Sequence, residues 1–215
     1  MNTQKHYTLL DKIILNIDQI LRGITHNPQT TGRPYPAAGI LETKLTEAER
    51  QHVAGLMRVN HAGEIAAQAL YHGQGLVSQN PLIQEKMRTA QIEEGDHLAW
   101  CHLRLTELGS HTSYLTVLWY IGSFGIGMLA GAAGDRWSLG FLEETETQVV
   151  EHLSQHLKQL PSADIKSAKI LTQMQIDEAE HRDAARLAGA ASLPSFVKKL
   201  MRVTAKMMVK IAYRI

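Results

Sequence analysis

Apolar residues return every three or four positions along most of this chain, the spacing that lines up one face of an α-helix. The first such run, residues 7–24, carries Tyr7, Leu10, Ile13, Ile14, Ile17, Ile20 and Leu21 and predicts a short amphipathic docking helix. Residues 25–45, with Pro28, Pro34, Pro36 and Gly39, break the pattern and read as an irregular connector. Thr46-Glu47-Ala48-Glu49 is a capping box, so a long helix is expected from Thr46 to about Val77. Asn80-Pro81 offers an N-cap and a proline at the first position of a second long helix, which ends near Gly109. A third is expected from about Ser138 to Leu160. After a turn and N-cap at Pro161-Ser162, a fourth runs to about Leu187, with Gly189 and Pro194 stopping it. No segment alternates with the period of a strand, and the predicted class is all-α.

Two stretches depart from this amphipathic pattern. Residues 108–134 contain no Asp, Glu, Lys or Arg and include Leu115, Val117, Leu118, Trp119, Tyr120, Ile121, Phe124, Ile126, Met128 and Leu129. Length alone makes this a transmembrane candidate, which the glycines between Gly109 and Gly134 weaken. Residues 195–215 place Lys198, Arg202, Lys206, Lys210 and Arg214 at intervals of four, opposite Phe196, Leu200, Val203, Met207 and Ile211. The chain therefore divides into an N-terminal helix and connector (1–45), a helical bundle (46–194) and a basic, membrane-associating amphipathic helix (195–215).

Composition narrows the class. With 215 residues, 44% of them hydrophobic, the chain can build one domain with a sizeable core. The formal charge of +1 hides an asymmetry: residues 195–215 hold six basic residues and no acidic ones, leaving 16 basic against 21 acidic elsewhere. Nucleic-acid binding by so acidic a body is not expected. The single cysteine, Cys101, excludes an internal disulfide and any cysteine-based zinc or rubredoxin site, and it fits a reducing compartment. Asp11, Lys12, Asn16 and Asp18 interrupt the N-terminal apolar run, which is not a secretory signal.

The chemistry lies in a repeat. Glu93-Glu94-Gly95-Asp96-His97 and Asp177-Glu178-Ala179-Glu180-His181 both read acid-Glu-x-x-His. On a helix the i,i+3 spacing puts Glu94 beside His97 and Glu178 beside His181. Each pair interrupts an apolar stripe: Met87, Ala90, Glu94, His97, Cys101, Leu105 in one, and Leu171, Met174, Glu178, His181, Ala185 in the other. A carboxylate on a core-facing stripe is costly unless its charge is compensated, and two such pairs point to metal.

Each pair also has a partner. Glu64 lies 30 residues before Glu94, with the midpoint at the Asn80-Pro81 turn. Glu146 lies 32 before Glu178, with the midpoint at Pro161-Ser162. At about 1.5 Å per residue, both carboxylates of a hairpin sit roughly 20–25 Å from its turn and so at one level. Two antiparallel hairpins, each giving one Glu and one Glu-x-x-His, form the ligand pattern of ferritin-like four-helix bundles with two iron or manganese ions. Such a bundle needs a long crossover. Residues 110–134 are accordingly read as an apolar crossover helix lying along the bundle, not through a membrane.

Other acidic and histidine residues are assigned lesser places. Glu93, Asp96 and Glu180 fall off the stripe and are expected to be solvated or to stand behind the ligands. Glu143 and Glu144 lack the balanced turn distance of Glu146. His61 is an outer-contact candidate, and His152 and His156 are expected mainly on the helix surface.

These residues carry a family resemblance. Asn60-His61-Ala62-Gly63-Glu64, Glu94-Gly95-Asp96-His97, Glu146 ahead of His152-Leu153, and Glu178-Ala179-Glu180-His181 resemble the demethoxyubiquinone hydroxylases of ubiquinone biosynthesis over residues 45–215. The resemblance implies that Glu64, Glu94, His97, Glu146, Glu178 and His181 hold two iron ions. It also implies that the protein uses O2 to hydroxylate a polyprenylated methoxy-methyl-benzoquinol ring. The chain has neither a glycine-rich dinucleotide fingerprint nor iron–sulfur cysteines, so the reductant is external, with NADH, a partner protein or the quinol itself as candidates. A prenylated substrate, the apolar crossover and the basic tail together predict a peripheral protein on the cytoplasmic face of the inner membrane, beside other ubiquinone-biosynthesis proteins. The same ligands would serve a di-manganese catalase, another oxidase or an iron-storage protein, and a membrane-surface bundle whose acidic and histidine residues are purely structural is the remaining alternative.

Overall fold

Seven helices and no strand form among the described residues, 8–25 and 28–215, of the computed structural model. They are α1 (Leu9–Ile24), α2 (Glu47–Val77), α3 (Pro81–Glu107), α4 (Thr116–Ala132), α5 (Asp135–Gln159), α6 (Ile165–Leu187) and α7 (Ser195–Ala212). Capping chemistry sets where most of them begin. The Thr46 hydroxyl accepts from the Glu49 amide while the Glu49 carboxylate accepts from the Thr46 amide, opening α2. Asn80 Oδ1 accepts from the Leu82 amide at 3.0 Å, just ahead of Pro81, opening α3. The expected cap at Ser162 moves two residues on, to Asp164, whose Oδ1 accepts from the Ser167 amide at 3.0 Å. That carboxylate also meets the buried Arg104 guanidinium at 2.9 Å, a charge-assisted contact a serine hydroxyl could not match. Helix α5 starts at Asp135, before the expected Ser138, because Gly134 takes φ 102° and turns the chain directly out of α4.

Helices α2, α3, α5 and α6 make the four-helix bundle. Contacts along their length fix the directions. His156 of α5 meets Asn60 near the start of α2, and Ser138 at the start of α5 meets Gln74 near the end of α2, so these two run antiparallel. Cys101 lies against Met174 while Lys86 reaches the Ala184 carbonyl, which makes α3 and α6 antiparallel as well. The crossover α4 runs parallel to α2 and carries the chain from one end of the bundle to the other. Its backbone approaches α2 closely: a Cβ on Gly127 would lie 2.2 Å from the Leu70 carbonyl oxygen, and one on Gly73 would lie 2.4 Å from that of Phe124. Only glycine permits this contact.

The apolar crossover thus packs on the bundle, and no helix among the described residues is long and apolar enough to cross a membrane. Its outer face remains uncovered at Leu118, Ile121 and Leu129. Helix α7 docks through Lys198, which is 2.9 Å from the Glu144 carboxylate of α5, and through the buried Ala212 near Val59 and Ala62 of α2. Phe196, Leu200, Val203 and Met207 stay exposed.

Candidate metal centre

Two apolar layers fill the bundle. One gathers Val53, Met57, Trp100, Cys101, Leu105, Leu153, Ile170, Leu171 and Met174; the other gathers Ala67, Leu70, Tyr71, Met87, Ala90, Leu139, Leu142 and Ala185. On every helix, the polar positions singled out above fall between the two. Glu64 of α2, Glu94 and His97 of α3, Glu146 of α5 and Glu178 of α6 are all at most 4% exposed, and His181 of α6 is partly buried at the edge. Hydrophobic burial on both sides holds a polar layer that would not assemble on its own energetics.

Glu64, Glu94, His97 and Glu178 present oxygen and nitrogen atoms all within 4.8 Å of one another. His97 Nδ1 lies 3.1 Å from Glu94, 3.0 Å from Glu178 and 3.7 Å from Glu64. His181 Nδ1 lies 3.3 Å from Glu94 and 3.2 Å from Glu178. Glu146 stands against Glu178, and its Oε1 is buried without a hydrogen-bond partner among the described residues. All six side chains are therefore brought to one level, His181 and Glu146 at the margin of the tight group.

The outward nitrogens follow a reciprocal rule. His97 Nε2 is 2.8 Å from Asp177, the acid that precedes Glu178, and His181 Nε2 is 2.7 Å from Glu93, the acid that precedes Glu94. Each Nε2 therefore donates to its outer carboxylate and each Nδ1 faces the inner carboxylates, where it bears a proton that a metal ion would displace. Such outer carboxylates orient imidazole ligands and raise their basicity. The first acid of each acid-Glu-x-x-His motif thus serves the histidine of the other motif.

Charge tells the same story. Among the described residues, only the two imidazoles form ion pairs with Glu64, Glu94 and Glu178, and Glu146 has none. Burial pushes Glu64 well above the usual carboxylate range, against the pull of His97, and burial with the neighbouring Glu178 does the same to Glu146. Burial also opposes ionisation of Glu94, yet His181 and His97 hold it well below that range. Both imidazoles are raised far above their ordinary value: burial disfavours their charge, but Asp177 and Glu178 override it at His97, and Glu178 and Glu93 at His181. The layer thus holds protons in the places of cations. Four carboxylates and two inward imidazole nitrogens match two divalent ions in charge and donor type, and the unpartnered Glu146 oxygen is an acceptor such an ion would satisfy.

The lesser candidates resolve differently. Glu144 is committed to Lys198 and Gln148, and Glu143 to Arg186. His156 is buried and 2.9 Å from Asn60 Oδ1, and His152 lies against it with ring centroids 3.8 Å apart and ring planes tilted at 58°. Both face inward, contrary to the surface position expected from periodicity, because α7 and the start of α2 cover that side of α5. His61 is fully buried, with its ring 6.1 Å from that of His102. Asp96 is buried beneath the connector instead of solvated. Arg33 and Arg104 were not singled out by periodicity, since one lies in irregular chain and the other interrupts an apolar face only once.

Comparison with known proteins agrees with this arrangement. Residues 51–212 match the model of the family described as ubiquinone biosynthesis protein COQ7. A relative from Polynucleobacter asymbioticus is 52% identical over 209 residues, covering 97% of this chain and 100% of that protein. One from Nitrosococcus oceani is 52% identical over 204 residues, covering 95% of each, and one from Coxiella burnetii is 50% identical over 212 residues, covering 99% and 98%. All three bear the name 3-demethoxyubiquinol 3-hydroxylase. The chain belongs to the COQ7 family of ubiquinone biosynthesis proteins.

Proposed function

We propose that this chain is a monooxygenase that hydroxylates the ring of a polyprenylated demethoxyubiquinol, a late step of ubiquinone biosynthesis. The observation that carries the reading is the enclosed layer of four Glu and two His, in a chain at least half identical to relatives named for that reaction. In this reading Glu64, Glu94, His97, Glu146, Glu178 and His181 are the ligands of two iron ions. The iron pair supplies O2 activation: one oxygen atom enters the ring as hydroxyl, the other leaves as water, and an external reductant such as NADH provides two electrons.

The chain's own residues provide the setting. Asp177 and Glu93 hold the Nε2 protons of His97 and His181 and so fix the ring orientations, leaving each inward Nδ1 placed to ligate once a metal displaces its proton. The layers around Leu153 and Met174 on one side, and Leu142 and Met87 on the other, keep bulk water from the reacting centre. The substrate's prenyl chain calls for an apolar approach. Uncovered side chains on α4 (Ile121, 62% exposed; Leu129, 75%) and α7 (Phe196, 73%) support a peripheral position on the cytoplasmic face of the inner membrane, with Lys199, Lys206 and Lys210 at anionic headgroups.

Two experiments test the reading. Iron-loaded protein given NADH, 18O2 and a short-chain demethoxyubiquinol yields a hydroxylated ring carrying one 18O; a product with oxygen from water contradicts monooxygenation. The chain also co-sediments with anionic vesicles. Its retention in the supernatant at low salt would refute the membrane position.

A further inference from the structure

The connector contains no pattern that marks it as functional, yet residues 29–33 lie directly on the Glu94–His97 segment. The contact is specific. A Cβ on Gly95 would lie 1.8 Å from the Gln29 carbonyl oxygen, so the connector is seated where α3 lacks a side chain. The next residue, Asp96, accepts from the Thr31 amide at 3.1 Å, from the Gly32 amide at 3.3 Å and from the Thr31 hydroxyl. Arg33 Nε lies 3.3 Å from the same carboxylate, and the Arg33 guanidinium stacks 4.8 Å from the Trp100 ring centroid. Its Nη2 donates to Asp177 Oδ2, the oxygen that also receives His97 Nε2. Gln173 holds the other Asp177 oxygen at 2.9 Å.

We propose that residues 29–33 form a strap over the metal centre and that Arg33 is a positioning residue for His97, acting through Asp177. The proposal rests on the di-metal reading above and extends it to a segment outside the bundle. The physical chain is short. Arg33 holds the Asp177 carboxylate in one rotamer; the carboxylate holds the Nε2 proton of His97; that contact keeps Nδ1, the atom that would ligate, on the side of Glu64, Glu94 and Glu178. The sequence Glu94-Gly95-Asp96-His97 then has a role at each position: the outer two residues ligate, the glycine makes room for the strap and the aspartate hooks it. The two halves of the site are unequal in this respect. Glu93, the counterpart of Asp177 at His181, has a side chain 38% exposed and, among the described residues, no ion-paired Arg or Lys. The strap therefore supports one metal position more than the other.

Coupling must run both ways: a strap that strengthens metal binding is itself tightened by metal. The test compares the wild-type full chain with Arg33→Ala, Arg33→Lys and Gly95→Ala, titrated anaerobically with Co(II) and followed by visible absorption, with helicity measured on each. Arg33→Ala and Gly95→Ala, which release the strap by unrelated means, should each weaken one of two Co(II) equivalents by about 10–100-fold and alter its absorption bands. Arg33→Lys, which keeps the charge but loses the fork, should recover part of the loss. Equal affinities and identical spectra in wild type and Arg33→Ala would overturn the strap while leaving the di-metal centre intact. Failure of the wild type to bind Co(II), Fe(II) or Mn(II) would overturn both. Hydrogen exchange on the wild type needs no variant: the Thr31 and Gly32 amides should exchange more slowly in Co(II), and unchanged exchange would refute the coupling even if a variant fails to fold.

Discussion

Two glycines in α4, two residues apart, should respond to the same substitution with opposite signs. A Cβ at Gly127 would meet the Leu70 carbonyl oxygen at 2.2 Å and the Leu70 Cα and carbonyl carbon at 2.9 Å, all of them backbone of α2. Ordinary contact begins at 3.4 Å, so Gly127→Ala must drive the helices apart by over an ångström, and no side chain can swing aside to relieve it. Overpacking of this kind costs about 3 kcal/mol, from which the better helix propensity of alanine returns about 1, leaving a net loss of about 2 kcal/mol. A Cβ at Gly125 meets nothing within 4 Å, so Gly125→Ala keeps only the propensity gain, about 1 kcal/mol. For a chain of this length, thermal melts should show Gly127→Ala lower by about 4–8 °C and Gly125→Ala higher by about 2–4 °C. Urea melts provide the second probe. If Gly127→Ala proved as stable as Gly125→Ala, α4 would not pack on α2 as described, and the crossover would need another location.

Three more perturbations probe the interior. Glu146→Leu replaces a buried acid whose Oε1 has no partner, so the metal-free protein should gain about 1–3 kcal/mol in urea while its metal content falls below two per chain; a loss of stability would contradict the account of that layer. Arg104, with a fully buried side chain, meets Glu42, Glu107 and Asp164, so Arg104→Met leaves Asp164 buried and unpaired and should cost about 3–5 kcal/mol, read from urea midpoints. Burial, then the neighbouring His152 and His52, holds His156 down to about 3, so the unfolded chain takes up a proton that the fold refuses once pH drops below about 6.5. Stability then falls with falling pH by about 1.4 kcal/mol per unit for this group, so wild type should lose about 2 kcal/mol more than His156→Gln between pH 6.5 and 5. Parallel pH profiles would refute the assignment.

Much of the architecture was legible because it follows from local chemistry. The capping box at Thr46 and the Asn80-Pro81 pair mark helix starts that the structure contains. The equal spacing of Glu64 and Glu94, and of Glu146 and Glu178, about their turns places four carboxylates at one level. The cap at Asp164 is not legible in the local sequence because its advantage over Ser162 comes from Arg104, a residue 60 positions away. The burial of His152 and His156 is hidden for a related reason: what covers α5 there is α7 and the part of α2 around Asn60, and the periodicity of α5 alone carries no trace of them. The acid at the head of each Glu-x-x-His motif was visible as a repeat, but its crossing to the opposite histidine depends on how α3 and α6 lie together. Arg33 sits in chain without a period, and only tertiary contact reveals it.

Quinone analysis by mass spectrometry in cells lacking this chain tests the central claim most directly. The account predicts accumulation of a quinone short of one methoxy group, cured by the wild-type chain and not by Glu178→Ala. A normal quinone profile in cells with no second hydroxylase for that ring position, or a full cure by Glu178→Ala, would contradict it.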